Sequence, residues 1–280
     1  MQAFERLDLL LLRAALLEAA AARPAWAELA GELDLDTLDH GRMRLLPLLH
    51  QNLLRLGIED HRLARLRGIR HFHWARNQVR LRGLAPLLRD LQAAGVGVLL
   101  LKGAALLAST LPDFSLRPMD DIDLLVRPDQ VSAAMRCLAA RGYHPVNVHP
   151  WTVRAVLMDE GPGYPFANAE GDQIDLHWHA MHLDCHPQAA PAFRDEARAA
   201  QLSATAVRAP RPAALLLQIC AHAAGWNPTH GLRWAADAAV ILRAAGPAFD
   251  WGRFERQARE HRLEAALLPH LTALRQHLDL

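Results

Sequence analysis

The segment LRPMDDIDLLV, residues 116–126, places aspartates beside an apolar run that is typical of a buried strand. Ionised carboxylates are costly to bring near a hydrophobic core unless something neutralises them. Because alternate side chains of a strand share one face, a strand over DIDLLV turns Asp121 and Asp123 to one side and Ile122 and Leu124 to the other. We therefore expect the apolar face to pack on the core and the acidic face to line an open cleft.

A second acidic strand is predicted downstream, where QIDLHW places Asp175 and His177 on one face. If this strand neighbours the first, Asp121, Asp123 and Asp175 converge and raise one another's pKa values. Divalent cations relieve this repulsion, and Mg²⁺ favours carboxylate oxygens together with substrate phosphates. Two such ions can activate an attacking oxygen and stabilise a leaving one. The spacing therefore indicates a metal site made of these three aspartates, filled by Mg²⁺ or Mn²⁺, that holds phosphates.

The stretch LLLKGAAL carries the chain's one lysine, Lys102, among 31 basic residues. Lysine is a compact point charge and arginine a wide planar fork, so a single retained lysine indicates a place where the fork does not fit. A strand that runs into Gly103 and then into a helix leaves backbone N–H groups free to attract phosphate. Glycine at that point would let the backbone approach the ligand closely. We expect the turn at Gly103 to bind phosphate and Lys102 to supply a point charge to the phosphate tail.

The elements that position these residues fall into three segments. Residues 1–94 are predicted to be helical, including a long helical region over 60–94 that Pro86 kinks or divides. Residues 95–200 are predicted to alternate short strands with helices, and residues 201–280 return to a helical pattern. The expected strands are 96–101, 121–126 and 172–179. The predicted fold class is therefore α+β, with a small mixed sheet between an N-terminal and a C-terminal helical region.

A strand with Lys-Gly and a helix, followed by LRPMDDIDLLV and then IDLHW, resembles the nucleotidyltransferases of the DNA polymerase beta superfamily. More narrowly, the chain is similar to the bacterial uncharacterised nucleotidyltransferase family, whose members carry a related L-K-G, R-x-x-x-D-I-D-L-L-V and D-L-H-W series. The likeness is sharpest over residues 99–127 and extends over most of the chain, including its C-terminal helical segment.

This resemblance implies transfer of a nucleoside monophosphate from an NTP to an acceptor hydroxyl or phosphate, with pyrophosphate as the leaving group and two metal ions. Asp121 and Asp123 match the paired metal-binding aspartates, and Asp175 matches the third carboxylate, which helps to deprotonate the acceptor. Arg117 matches the arginine before the acidic motif and would contact the triphosphate by a bidentate pair. Small molecules, peptides, proteins and RNA all fit as the acceptor.

The composition describes a globular chain of 280 residues with a net charge of +1. This balance excludes a global electrostatic field directed at nucleic acid. The three cysteines are widely spaced, which argues against a disulfide framework and fits a reducing compartment. No stretch of about 18 or more uncharged apolar residues occurs, so no membrane span is expected. We expect a cytoplasmic protein.

Two other functions fit parts of the sequence. The segment from His177 to His186 contains histidines and a cysteine, which are zinc ligands, so a zinc-binding hydrolase is one alternative. Its spacing matches no zinc motif, and 16 histidines in the chain make chance clustering easy. The superfamily turn has a serine where Ala104 stands, so a catalytically degenerate binding module is the other alternative. The three retained aspartates argue against that loss.

The long N-terminal helix is rich in arginine over residues 62–82 and carries Phe72 and Trp74. Arginines interleaved with aromatic residues can bind RNA. The favoured interpretation is a solvated face with both aromatics packed inward, and contact with an RNA acceptor is the alternative. The C-terminal helices carry a polar set in which His222 and Asp237 are interpreted as core or interhelical hydrogen-bonding residues, with the lining of an acceptor pocket as the alternative. Its members are His222, Trp226, Arg233, Trp234 and Asp237.

Overall fold

The computed structural model describes residues 4–184, 193–194, 196–225 and 232–280. The helices before the sheet are α1 (Arg6–Leu16), α2 (Ala19–Glu32), α3 (His40–Met43), α4 (Leu46–Arg55) and α5 (Leu63–Ala93). The helices between strands are α6 (Lys102–Ser109), α7 (Val131–Ala140), α8 (Pro150–Thr152) and α9 (Met158–Glu160). The C-terminal helices are α10 (Pro212–Gly225), α11 (Arg233–Ala245), α12 (Trp251–Glu260) and α13 (Glu264–Leu278).

Strands β1 to β5 form a mixed sheet in the order β1-β2-β5-β4-β3. They are β1 (Leu99–Leu100), β2 (Asp121–Leu125), β3 (His144–Pro145), β4 (Gly163–Ala167) and β5 (Gln173–His177). The central pair, β2 and β5, is parallel, whereas the other neighbours are antiparallel. A parallel pair requires a long crossover connection, and α7 with β3 and β4 supplies it. The predicted α+β class with a small mixed sheet is confirmed.

The two faces of β2 have different surroundings. Ile122 and Leu124 are almost fully buried in the main core, as the alternation predicts. Asp123, on the other face, is also buried, with 3% of its surface exposed. The expectation of an open acidic cleft is therefore wrong at this position. The reason is that α10, through Ile219 and His222, shares with Asp123 the lining of a cavity over the acidic face.

Helix α5 is continuous from Leu63 to Ala93, so Pro86 does not divide the helical region, and a kink at Pro86 stays a prediction. Proline removes one intrahelical hydrogen bond, yet its neighbours Leu84 and Leu87 are buried on one stripe of the helix. Tertiary packing of such a stripe supplies most of a helix's stability in proteins. Within the described ranges no helix is both long and apolar enough to cross a membrane.

The aromatic side chains of α5 do not pack inward. Phe72 is 55% exposed and Trp74 is 50% exposed, so the expectation that both are buried is wrong. The residue between them, His73, is only partly exposed. Successive helix positions differ by about 100°, so residues on either side of an inward position turn toward solvent. Arg76 lies over the Phe72 ring, 5.6 Å from its centroid.

A second sheet, which the sequence did not predict, is the hairpin of β6 (Arg198–Leu202) and β7 (Thr205–Ala209). It packs on α6 and beside β1, and it crosses the segment boundary expected at residue 200. The two helical regions also contact each other, because α1 packs against α11 and α13. The Arg13 guanidinium donates to the backbone carbonyl of His277 at 3.2 Å. The three-segment organisation stays a prediction.

Candidate active site

The predicted convergence of the acidic strands is confirmed. Strands β2 and β5 are hydrogen-bonded neighbours, and their register pairs Asp123 with Asp175 and Asp121 with Gln173. Side chains that are paired in adjacent strands lie on the same face of the sheet. Asp121, Asp123 and Asp175 accordingly line one cavity.

The most buried of these carboxylates, Asp123, has two partners on one oxygen. The Lys102 ammonium donates to Asp123 Oδ1 at 2.6 Å, and His177 Nε2 lies 2.9 Å from the same atom. Burial acts to raise the pKa of Asp123, but Lys102 and His177 outweigh burial and hold that pKa well below its usual range. Burial acts in the opposite direction on Lys102, where Asp123 prevails and the pKa is raised. The chain's one lysine therefore neutralises the buried aspartate.

Asp121 and Asp175 have different surroundings from Asp123. Burial, followed by the charges of Asp123 and Asp175, raises the pKa of Asp121. Asp175 accepts a hydrogen bond from Gln173 Nε2 at 2.8 Å. Three carboxylates and the ammonium of Lys102 leave the cluster with a formal charge of −2. The charges of Lys102 and Arg117 act to lower the pKa of Asp121 but do not outweigh burial and the two other carboxylates. A divalent cation would neutralise this remaining repulsion.

A metal ion fits this donor set. Among the described residues, Asp123, Asp175 and His177 each offer a ligand atom, and these atoms lie within 4.8 Å of one another. Carboxylate oxygens suit Mg²⁺ and Mn²⁺, and imidazole nitrogen suits transition ions. Asp121 lines the same cavity on the neighbouring position of the acidic face. Of the expected ligands, Asp123 and Asp175 lie within ligating distance of each other and of His177, whereas Asp121 shares the cavity but is not in that group.

The turn at Lys102 is built differently from the expectation. Lys102 has a positive φ of 42°, a conformation that costs free energy for residues with a side chain and is common at functional sites. Its backbone N–H donates to Gln218 Oε1 at 3.1 Å. A side chain of α10 therefore already accepts from this N–H, and binding of phosphate by the other N–H groups of the turn stays a prediction.

Gly103 faces a guanidinium group and does not line the cavity. A Cβ atom added to Gly103 would lie 1.7 Å from Arg117 Nη1, so only glycine leaves room for this side chain. Arg117 makes a bidentate pair with Asp237, with Nη2 2.8 Å from Oδ2 and Nε 3.1 Å from Oδ1. The Arg117 guanidinium, which the family resemblance assigned to a triphosphate, is thus already paired with a carboxylate of α11. The Arg117 side chain still lines the cavity.

Two further arginines line this cavity, and sequence reasoning did not assign either to phosphate binding. Arg44 precedes α4 and pairs with Asp120 at 3.0 Å. Arg233 begins α11 and donates to the backbone carbonyl of Pro118. Arg44 Nε and Arg233 Nη1 are buried and have no hydrogen-bond partner among the described residues. No motif surrounds Arg44 in the sequence, whereas Arg233 stands in the polar set of the C-terminal helices.

The cavity has a volume of about 250 Å³ and joins all three predicted segments. One wall is acidic and the other carries arginines. Burial and the charge of Lys102 lower the pKa of His222, which also lines the cavity, to about 3. The lining side chains are those of Arg44, Lys102, Arg117, Asp121, Asp123, Asp175, Ile219, His222, Ala223, Arg233, Trp234 and Asp237. Such a site can bind a polyanion beside metal-ligating carboxylates.

The family model of the uncharacterised nucleotidyltransferases matches residues 41–279. The chain belongs to this family. No functionally curated protein matches the sequence. Among solved structures, the chain is similar to the antibiotic-resistance factor ANT(2'')-Ia, with 14% identity and a TM-score of 0.46. That similarity covers 70% of this chain and 98% of the other.

In this nucleotidyltransferase chain, the polar set of the C-terminal helices includes a buried core residue and several residues that line the cavity. Asp237 is a buried core residue, and its ion pair with Arg117 joins α11 to the loop before β2 and not to another helix. His222, Arg233, Trp234 and Asp237 all line the cavity, whereas Trp226 lies outside the described residues.

The histidine-rich segment contributes to this site only in part. His177 contacts Asp123, and it is the segment's one member in the described group of candidate metal ligands. His179 is buried, with no partner for Nδ1 among the described residues. Cys185 and His186, on which the zinc alternative depends, lie outside the described residues.

Proposed function

We propose that this chain is a metal-dependent nucleotidyltransferase that moves a nucleoside monophosphate from an NTP to an acceptor hydroxyl or phosphate and releases pyrophosphate. The observation that carries the proposal is one cavity in which Asp121, Asp123 and Asp175 face Arg44, Arg117 and Arg233. An NTP is a polyanion that binds together with metal ions, so its site needs cationic side chains for the phosphates and carboxylates for the metal ions. Membership of the nucleotidyltransferase family supports the same activity.

The arginine wall is suited to the β- and γ-phosphates. Burial, followed by the charges of Arg117 and Arg44, lowers the pKa of Arg233 well below its ordinary value. Clustered guanidinium groups of this kind gain stability when an anion enters between them. Asp237 and Asp120 hold Arg117 and Arg44 in fixed positions. These two arginines are therefore oriented before the nucleotide arrives, which limits the entropy lost on binding.

The acidic wall is suited to metal ions. Asp121, Asp123 and Asp175 would hold the ions, which, when bound, polarise the α-phosphate and lower the pKa of an acceptor hydroxyl. Lys102 keeps Asp123 ionised in the absence of metal, through the 2.6 Å contact of Nζ with Oδ1. The same ammonium lines the cavity and can turn toward a phosphate once Asp123 has another partner.

The transfer is a substitution at the α-phosphorus. The acceptor oxygen forms a bond to that phosphorus, the bond to the bridging oxygen of the β-phosphate breaks, and pyrophosphate leaves. Asp175 is half-buried at the edge of the cavity and takes the proton of the acceptor hydroxyl. The arginines stabilise the negative charge that develops on the leaving pyrophosphate.

Incubation with each α-labelled NTP, Mg²⁺ and a cell extract tests the proposal. We expect one extract component to become labelled, and the Asp121→Asn and Asp123→Asn variants to leave it unlabelled. Nucleotide binding without transfer would favour the degenerate binding module. Activity that needs tightly held zinc and no NTP would favour the hydrolase.

A further inference from the structure

A second cavity, of about 220 Å³, adjoins the first and shares three lining residues with it: Lys102, Asp175 and His222. Its other walls come from β4, β5, the residues that follow β5, and α10. Asp175, the proposed proton acceptor, therefore faces two spaces. If the triphosphate occupies the arginine-lined one, the second space is where an attacking hydroxyl can reach the α-phosphorus.

The second cavity has a different charge from the first. Among the described residues that line it, the charged ones are Lys102 and Asp175, and both are shared with the first cavity. Lys102 is already paired with Asp123, and no arginine of the described part of the chain contributes to the lining. Because Lys102 contacts either Asp123 or a nucleotide phosphate, an anionic acceptor would find no free cation among the described residues of this lining. A polycationic acceptor would find one carboxylate among the described lining residues, Asp175, and the proposed reaction needs that group to accept a proton.

Most of the polar side chains that line this cavity hydrogen-bond to the protein, although His177 Nδ1 is buried without a partner among the described residues. The Tyr164 hydroxyl donates to the carbonyl of Val146 at 2.7 Å. The amide of Gln218 donates to the carbonyl of Ala180 at 2.8 Å, and Gln173 donates to Asp175. A polyhydroxylated acceptor would bury hydroxyl groups without partners, which costs free energy.

The remaining wall is apolar. Pro162, Pro165, Ala180 and Met181 line it, and the last two are almost fully buried. At about 30 Å³ for each water, a space of about 220 Å³ holds roughly seven waters. A group the size of one substituted ring would fill it and would release those waters from an apolar surface.

We propose that the second cavity binds the acceptor, and that the part of the acceptor that enters it is an uncharged, mostly apolar group carrying one hydroxyl. This inference rests on the proposed function, because it needs the nucleotide in the first cavity. It names a substrate class that excludes sugar phosphates and amino sugars at this position.

Three hydroxyl compounds that differ in charge test the inference: uncharged 2-phenylethanol, anionic glucose 1-phosphate and cationic glucosamine. Each is added to the protein with Mg²⁺ and a non-hydrolysable NTP, and the melting temperature is measured. Each is then tested as an acceptor of α-labelled nucleotide. We expect 2-phenylethanol alone to raise the melting temperature further and to accept label. Preference for either of the other two, or an effect of none, would overturn the inference.

The melting temperature with Mg²⁺ and the non-hydrolysable NTP alone distinguishes failure of the proposed function from failure of the acceptor inference. If Mg²⁺ and the NTP do not raise the melting temperature, the proposed function fails. If they do and 2-phenylethanol does not add to the effect, the acceptor inference alone fails.

Met181 supplies the matched variants. Met181→Gln places a polar group on the apolar wall, and we expect 2-phenylethanol to bind about tenfold more weakly while the nucleotide affinity is unchanged. Met135→Gln, a change at a buried methionine outside both cavities, controls for loss of core stability. Met181→Leu keeps the wall apolar and should bind 2-phenylethanol like the wild type. Equal affinity in wild type and Met181→Gln would contradict the proposal.

Discussion

The Lys102 ammonium and the Asp123 carboxylate form a buried ion pair at 2.6 Å, in the middle of the candidate metal site. A lysine can make this contact because its charge is compact, whereas a guanidinium needs a planar space several ångströms wide. Lys102 begins α6 with a positive φ, so the fold holds its side chain in an unusual direction. The chain thus has arginine at its other basic positions and lysine at this one site, where the shape of the cation matters.

Lys102→Arg tests this geometric argument. We expect kcat/KM for the NTP to fall about a hundredfold, because the fork displaces Asp123 from the position that the reaction requires. Lys102→Met, which removes the charge but keeps the chain length, should lose activity as well. Steady-state kinetics with varied NTP measure both variants. Wild-type kinetics for Lys102→Arg would show that charge alone matters at this position.

Asp121→Asn and Asp123→Asn are expected to change the stability of the metal-free protein in opposite directions. The pKa of Asp121 is raised, so its contribution to stability is present at acid pH and is lost as pH rises. Asp121→Asn should therefore raise the free energy of unfolding at pH 7 and change it little below about pH 4. Asp123→Asn leaves the largely buried Lys102 charge unpaired and should lower the free energy of unfolding at pH 7 by about 3–5 kcal/mol.

Urea denaturation in EDTA, repeated from pH 4 to pH 8, measures these differences. The account is contradicted if both variants shift the free energy of unfolding in the same direction at pH 7, since the two carboxylates would then have equivalent surroundings.

Gly103→Ala tests the contact between α6 and Arg117. The added Cβ would overlap the guanidinium, so Arg117 must move away from Asp237 and from the cavity. We expect KM for the NTP to rise about tenfold, as the loss of one charge-assisted contact predicts. Gly31→Ala is the matched control, because Gly31 also lies in a helix and has open space where the Cβ would stand. An unchanged KM for Gly103→Ala would remove Arg117 from nucleotide binding.

His222 is expected to stay neutral throughout the physiological range. Burial and Lys102 lower its pKa to about 3, so the folded protein is stabilised by the neutral ring and loses that stability as pH falls below the unfolded value of about 6.5. The ring Cε1 proton, assigned with His222→Gln, should show a constant NMR shift between pH 8 and pH 5. Titration of this proton near pH 6 would show that the ring is solvated.

The sequence predicted the chemistry of β2 and β5 because strand alternation is a local rule. It placed Asp121 beside Asp123, and Asp175 beside His177. The IDLHW strand of the family resemblance pointed to the partner carboxylate, and the parallel register of the two strands confirms that they meet.

Contacts between distant segments could not be predicted in the same way. Arg44 lies 58 positions before Lys102 in the chain and has no motif, yet packing of the N-terminal helices brings it to the same cavity. The cover that α10 forms over Asp123, and the use of Gly103 to accommodate Arg117, also depend on helix packing. The exposure of Phe72 was not predicted either, because composition alone did not give the orientation of the helix.

Binding of Mn²⁺ in the presence of an α,β-methylene NTP, measured by electron paramagnetic resonance, tests the central claim most directly. Asp129→Asn is the control, because Asp129 lies shortly after β2 but is exposed and pairs with Arg127 outside the cavity. We predict tight Mn²⁺ binding by the wild type and by Asp129→Asn, and at least tenfold weaker binding when Asp121, Asp123 or Asp175 is changed to Asn. Equal Mn²⁺ affinity in all of these proteins would contradict the account.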